Sequence, residues 1–412
     1  MNCGALSKSM RSATSAVALI LAVLPATLAH PDSISDILRQ AALDNELVPV
    51  AETHVIVDAN LAAIGKKLFE SKSLSLNGNI SCKNCHLEQF GSADGIPNAI
   101  GVGGEGEGAD RVVSGGAIIP RNTLPLWGRG GAGFDMLFWD GKVDFTDGQR
   151  ISQFGAQPPS EDPLITAIHL PAVEIREMLT EDPQVHESKQ EDVESAAQLY
   201  DGIMARLKES EAETLSALGR HMSVEPDGLE FIHVATAIAD FIREKFRLQQ
   251  TRFHRFVFED GDLSEQERRG ALIFYGKGKC ATCHSGPYLT DFAFHAIPFP
   301  QLGFGKNGFG VDYGRYNVTH DPGDLYTFRT PPLFNVTKTE PYGHSGSVGN
   351  LADAIRLHFD PLPLVDIEAM APFDRHEFYK RLMAAGDDML QIGFLADKDV
   401  DALVAFLHTL SF

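Results

Sequence analysis

Four of the five cysteines in the 412-residue chain fall into two copies of one pentad, Cys82-Lys83-Asn84-Cys85-His86 and Cys280-Ala281-Thr282-Cys283-His284. Two thiols at C-x-x-C spacing, followed at once by an imidazole, read as covalent c-type haem attachment. The thiols add to the haem vinyl groups and the histidine reaches the iron. Paired cysteines have other uses: a disulfide framework, a thioredoxin-like pair or a zinc site. A disulfide framework leaves the histidine after each pair unexplained, and a single four-cysteine zinc site needs neither histidine. The spacing therefore predicts two haems, with His86 and His284 as their proximal ligands.

The fifth cysteine, Cys3, lies in a different kind of segment. Lys8 and Arg11 precede an apolar run from Ala16 to Leu24, followed by Pro25, Ala26, Thr27, Leu28 and Ala29. That order of charged, apolar and small residues predicts a secretory signal over residues 1–29, cut between Ala29 and His30, and hence a periplasmic protein. A retained N-terminal anchor is the alternative. The run is too short to span a bilayer, and no later stretch reaches about 18 consecutive apolar residues, so no transmembrane segment is expected in the mature chain.

Charge narrows the partners. The chain carries 56 acids against 35 bases, a net −21, and loss of the signal with its two bases takes this to −23. Such a surface argues against nucleic acid, whose phosphates need a basic face. It suits solubility and a cationic protein partner.

The two pentads sit in similar surroundings. Gly65-Lys66-Lys67-Leu68-Phe69 stands upstream of the first and Gly270-Ala271-Leu272-Ile273-Phe274 upstream of the second, a weak internal repeat. Each reads as a short amphipathic helix, the second opened by a capping box of Ser264 and Glu267. Helical apolar spacing recurs over Glu191 to Leu218, Leu229 to Leu248, Met383 to Ile392 and Asp397 to Leu410. Gly91 to Gly116 and Phe299 to Gly323 read as loops, and no region is strand-rich. The expected fold is mainly α, with long loops around two haems and a boundary near Phe258 to Leu263.

With these motifs the chain resembles the bacterial di-haem cytochrome c peroxidases and the related MauG enzymes. The resemblance runs from about Leu61 to His408. It rests on both pentads, Arg121-Asn122-Thr123, Phe138-Trp139-Asp140-Gly141-Lys142, Thr330-Pro331-Pro332-Leu333-Phe334-Asn335-Val336 and Pro341-Tyr342-Gly343-His344-Ser345-Gly346. It implies two cytochrome c-like domains. Residues 30–258 would carry the peroxidatic haem and residues 259–412 the electron-transfer haem, with the last helix packing on the N-terminal domain.

The resemblance also implies roles. Trp139 corresponds to a tryptophan that relays electrons between the haems. Gln149, ten residues on, corresponds to a distal-pocket glutamine. The distal carboxylate falls in Pro171-Ala172-Val173-Glu174-Ile175, so Glu174 is the expected acid–base residue, its pKa raised in an apolar pocket; Glu177, followed by Met178, is the rival. Seventeen residues after Pro341 comes His358, where relatives place the far ligand of the second haem. No methionine occurs between Met222 and Met370, so a bis-histidine haem with His284 is expected, of lower reduction potential than a thioether-ligated one. His344 is expected to organise that pocket. A calcium ion between the domains is also implied, with Asn122 offering a side-chain oxygen.

One departure from the peroxidase pattern is direct. Typical members carry a histidine that blocks the first iron until half-reduction, and no histidine lies between His86 and Trp139. The first iron is therefore expected to be open, as in MauG-like members. The expected function is reduction of hydrogen peroxide by electrons from a small cytochrome c or cupredoxin. Its alternatives are a MauG-like oxidation of aromatic side chains in a partner protein, or an electron-transfer cytochrome without peroxide chemistry. The family implies a homodimer in many members, and no dimer seam is readable here. His54, His169, His186, His221 and His408 lack ligand-like neighbours and read as structural or surface residues.

Overall fold

The computed structural model describes residues 33–155, 158–180, 193–391 and 393–412. The expected secretory signal, His186, and the expected helix ends at Glu191 and Ile392 lie outside the described residues.

Helices dominate, and strands are confined to four two-stranded antiparallel ladders among the described residues. No helix there is long and apolar enough to cross a membrane.

Each half is organised by a crossed helix pair. In the first half Asp58 caps the Ala59–Glu70 helix by accepting from the Asn60 and Leu61 N–H groups. Its apolar face, with Leu61, Leu68 and Phe69 buried, packs on the Phe231–Lys245 helix. In the second half the predicted capping box is present, the Ser264 N–H donating to Glu267 Oε2 at 2.7 Å. That Glu265–Tyr275 helix packs on Asp397–His408.

Both crossings depend on glycine. A Cβ at Gly65 would lie 1.8 Å from the Ala237 carbonyl oxygen, and one at Gly270 would lie 1.9 Å from that of Ala402. Only a residue without a side chain lets the two backbones approach so closely. After each crossed helix the chain runs into a short 3-10 turn, Cys82–Asn84 or Cys280–Thr282, that presents the pentad. The weak sequence repeat is thus a repeat of structure.

Several contacts run across the expected boundary. The Ile34–Asp44 helix packs across it on Glu265–Tyr275, and within the first half on Arg252–Phe258, where Arg39 Nε donates to the Phe256 carbonyl at 2.9 Å. The segment after it stays against the second half, its Asn45 carbonyl accepting from the Gly286 N–H at 2.8 Å. The last helix, Asp397–His408, packs mainly against Glu265–Tyr275 and Leu351–Leu357, and its Phe406 ring also meets Phe253 of the first half edge-on at 5.0 Å. The tail beyond it reaches the first half, where the Phe412 ring meets Trp127 edge-on at 4.8 Å.

Other elements differ in extent. The helix expected over Glu191 to Leu218 is two, Val193–Ser210 and Ala212–Met222, parted at Glu211, whose carboxylate accepts from Ser71 Oγ at 2.6 Å. The expected Met383 to Ile392 helix divides into the end of Pro372–Ala384 and a separate Gly386–Gln391. The glycine-rich stretch from Gly91 holds a short helix, Ala109–Ser114. Buried Arg111 ties it down by donating to the Ile100, Gly101 and Gly104 carbonyls.

Candidate functional site

Two cavities occupy the two halves. The first, about 610 Å³, is lined by Cys82, Cys85 and His86 together with Trp139, Lys142, Glu174, Glu177 and Lys306. The second, about 290 Å³, is lined by Cys280, Cys283, His284, His295, His344 and His358, and again by Trp139. Trp139 is the one described residue that lines both.

The three histidines expected on iron share one geometry. His86 Nδ1 lies 3.0 Å from the Ser92 carbonyl oxygen, His284 Nδ1 3.2 Å from that of Leu289, and His358 Nδ1 2.8 Å from that of Ala354. Each contact places the ring proton on Nδ1 and leaves the Nε2 lone pair for a metal, the way ligand histidines are held. Burial pushes His86 and His284 down to about 4 and lowers His358 as well, so all three are neutral at pH 7. His284 and His358 line the same cavity. His86 is the only imidazole among the described residues lining the first.

Trp139 is fixed in the partition from several sides. Its indole N–H donates to the Asn122 carbonyl at 2.9 Å, and its own carbonyl accepts from the Arg329 N–H at 2.8 Å. Beside it Arg121 bridges Asp140 at 2.6 Å and Asp312 at 2.8 Å, tying the tryptophan segment to the second half. Those charges act on one another: Arg121 holds Asp140 well below the usual carboxylate range despite its burial. The motifs that carry the resemblance are therefore the ones that build this wall. Asn122 is buried in it, its amide nitrogen donating to the Pro341 carbonyl at 2.7 Å.

The carboxylates reach the first cavity from the end of Pro163–Val173, a helix packed on Phe231–Lys245. Glu174 is its C-cap residue, and its Oε2 lies 3.7 Å from Lys142 Nζ. Burial raises the Glu174 pKa, but Lys142 and Lys306 together outweigh it and hold the group below its ordinary value. Glu177 is pushed up to about 7 by burial, with neighbouring Glu174 adding to the effect. The raised carboxyl expected at Glu174 is thus found at Glu177, because the lysines stand nearer Glu174. Gln149 differs more: it is exposed beyond a 3-10 turn and does not line the cavity.

Around the second cavity His344 is buried, stacked on Phe328 at 3.9 Å and bonded through Nε2 to Gln301 Oε1 at 3.0 Å. His295 sits between Asp291, at 2.9 Å, and Asp388, at 3.2 Å. Asp291 first, then Cys283 and Asp388, push it up to about 11, so it is an imidazolium. His54, His169, His221 and His408 line neither haem-sized cavity.

Whether these cavities fit a haem can be tested on their polar walls. The four cysteines are free thiols, each beside a cavity. Arg129 lines the first cavity and Arg329 the second; both are buried, and Arg129 Nη1 and Arg329 Nη2 have no hydrogen-bond partner. A buried guanidinium with an unpaired N–H is costly unless an anion completes it. The carboxylates of a haem are such anions, so thiols, imidazoles and arginines all fit the group. Sequence reasoning missed Arg129, Arg329, His295 and Lys306, because none belongs to a spacing that points to a metal.

Comparison with known proteins agrees with this construction. A family model described as di-haem cytochrome c peroxidase matches residues 59–262. The chain is 27% identical to the cytochrome c peroxidase Ccp of Escherichia coli over 89% of its own length and 61% of that protein's, so it matches less than two thirds of that relative. It is 27% identical to the methylamine utilization protein MauG of Methylorubrum extorquens, over 78% of this chain and 76% of that one. Among solved structures, the fold is similar to a MauG-like protein associated with microbial copper homeostasis, with a TM-score of 0.62 at 22% identity, covering 89% and 92% of the two chains. It is likewise similar to the di-haem peroxidase BthA of Burkholderia thailandensis, with a TM-score of 0.61 at 20% identity and 89% of each chain covered. The family match takes in the first pentad, the partition tryptophan and both cavity carboxylates, and the chain belongs to the di-haem cytochrome c peroxidase and MauG family.

Proposed function

We propose that the protein is a periplasmic di-haem c-type oxidoreductase that reduces hydrogen peroxide with electrons from an external redox protein. The observation that carries this reading is the pair of cavities, each with its own C-x-x-C-H pentad, parted by Trp139. Two covalently held haems would supply the redox chemistry, cleavage of the peroxide O–O bond in the first cavity and storage of oxidising equivalents in both. Cys82 and Cys85 hold the first haem and Cys280 and Cys283 the second. His86 would ligate the first iron, and His284 and His358 the second.

Glu177 has the pKa for the proton work. It accepts the proton of the incoming peroxide and returns it to the departing oxygen. Glu174 stays an anion beside Lys142, and the pair holds the polarity of the distal wall. Trp139 carries electrons across the partition. Gln149 has no part in this account. A calcium ion on the Asn122 side-chain oxygen belongs to the same reading, and elemental analysis of the purified protein without calcium would remove it.

A small cytochrome c or cupredoxin is the electron donor in this reading. Mixing the di-haem protein with peroxide and reduced cytochrome c tests it. Catalytic oxidation of the cytochrome is expected. Peroxide left unconsumed would make the protein an electron carrier only. One observation favours a second reading, oxidation of a partner protein's aromatic residues: among the described residues the first cavity offers no histidine besides His86 to block the iron. In that case peroxide is consumed without cytochrome c, and the partner gains oxidised aromatic residues.

A further inference from the structure

Between the two cavities lies a pair of arginines whose action on each other none of the roles above uses. Arg129 and Arg329 are both buried, and both guanidiniums lie against the ring of Phe134, at 4.7 and 5.9 Å from its centroid. Neither forms an ion pair with a carboxylate among the described residues. Arg129 Nε donates to the Pro125 carbonyl at 2.9 Å, and Arg329 donates to the Phe138 carbonyl at 3.0 Å and to that of Thr330 at 3.2 Å. On each, one terminal nitrogen is left unpaired, Nη1 of Arg129 and Nη2 of Arg329. Arg129 faces the first cavity and Arg329 the second. The acids that act on Arg329 are already taken, Asp140 by Arg121 and Asp291 by His295.

Two like charges buried around one phenyl ring repel each other, and burial penalises both. Such a pair persists only if each charge meets an anion that the chain itself does not provide. We propose that Arg129 and Arg329 form a cationic bridge between the cavities, each taking a carboxylate of the haem in its own cavity, so that the two redox couples are electrostatically linked. This rests on the di-haem reading above and adds a function to the partition: Trp139 passes electrons there, and the arginines set the charge against which each iron is oxidised.

The sign follows from charge. Oxidation adds a positive charge to the iron, and a buried guanidinium disfavours it. Removing the guanidinium also strips a haem carboxylate of its partner. Both effects lower the reduction potential.

Spectroelectrochemical titration of the di-haem protein tests this, with attachment of both haems checked by intact mass. Arg129→Gln is expected to shift the first haem's midpoint potential downward, and the second haem's downward by less. Arg329→Gln is expected to show the reverse order. Arg129→Lys keeps the charge and is expected to stay near the unaltered protein. Unmoved potentials in Arg129→Gln with both haems attached would overturn the bridge and leave the di-haem reading standing. So would an Arg129→Lys shift as large as that of Arg129→Gln. An unaltered protein whose mass carries fewer than two haems would overturn both.

Discussion

Glu174 and Glu177 are three positions apart and line one cavity, yet their surroundings push them in opposite directions. A proton carrier must be able to take either form near working pH, and burial sets Glu177 at about 7. Acceptance of the peroxide proton requires the carboxylate, so kcat/KM for peroxide is expected to fall as pH drops below about 7. Glu177→Gln should lower kcat/KM by roughly a hundredfold or more and abolish that acid limb. Glu174→Gln removes a neighbouring negative charge and releases Lys142, so it should keep the limb and move it to lower pH. Steady-state rates across pH 5–8 check both, and loss of the limb in Glu174→Gln alone would reverse the assignment. Reading the sequence reached the cysteines and histidines of both pentads by chemical spacing, and Trp139 and His358 by family resemblance; all of these line the cavities. It did not reach Arg129 or Lys306, which are brought in by loops, and it placed Gln149 by counting alone, where a local turn carries it outward.

Gly65 and Gly270 mark where each half closes on itself. A methyl group at either position must push apart two helices whose backbones are already in contact. Gly65→Ala and Gly270→Ala are each expected to cost about 1–3 kcal/mol by overpacking. Thermal melts give the size of the loss, and the haem spectra should show which half is disturbed, the first for Gly65 and the second for Gly270. An alanine tolerated without loss at both sites would contradict the crossing described. These two helices were legible because apolar period and glycine point the same way, joined in the second by the capping box of Ser264 and Glu267. The break at Glu211 was not, because no proline or glycine marks it and the choice is made by tertiary contact; at Ala385 the following Gly386 was the only local sign. Glu211 leaves the helix to accept from Ser71, 140 residues earlier, a bond that local sequence does not announce.

Across the whole molecule the halves are bound together more closely than a linear division suggests. The Ile34–Asp44 helix belongs by sequence to the first half and by most of its packing to the second, and Phe412 returns the exchange by meeting Trp127. Such long-range placements are set by the sum of apolar faces, and a single chain read in order shows the faces without their partners. Net charge acts at this scale too. With 56 acids against 35 bases, the surface is expected to speed encounter with a cationic donor, and added salt should slow that donor's oxidation while leaving a neutral small-molecule donor unaffected. Rates that rise with salt for the cationic donor would contradict this. The proposed function requires a pair of haems of unequal ligation, the first open and the second held by His284 and His358. Electron paramagnetic resonance of the fully ferric protein, before and after one equivalent of peroxide, tests it most directly. One high-spin and one bis-histidine low-spin signal are expected, both consumed by peroxide without prior reduction. Two low-spin signals, inert to peroxide until the protein is half-reduced, would contradict it.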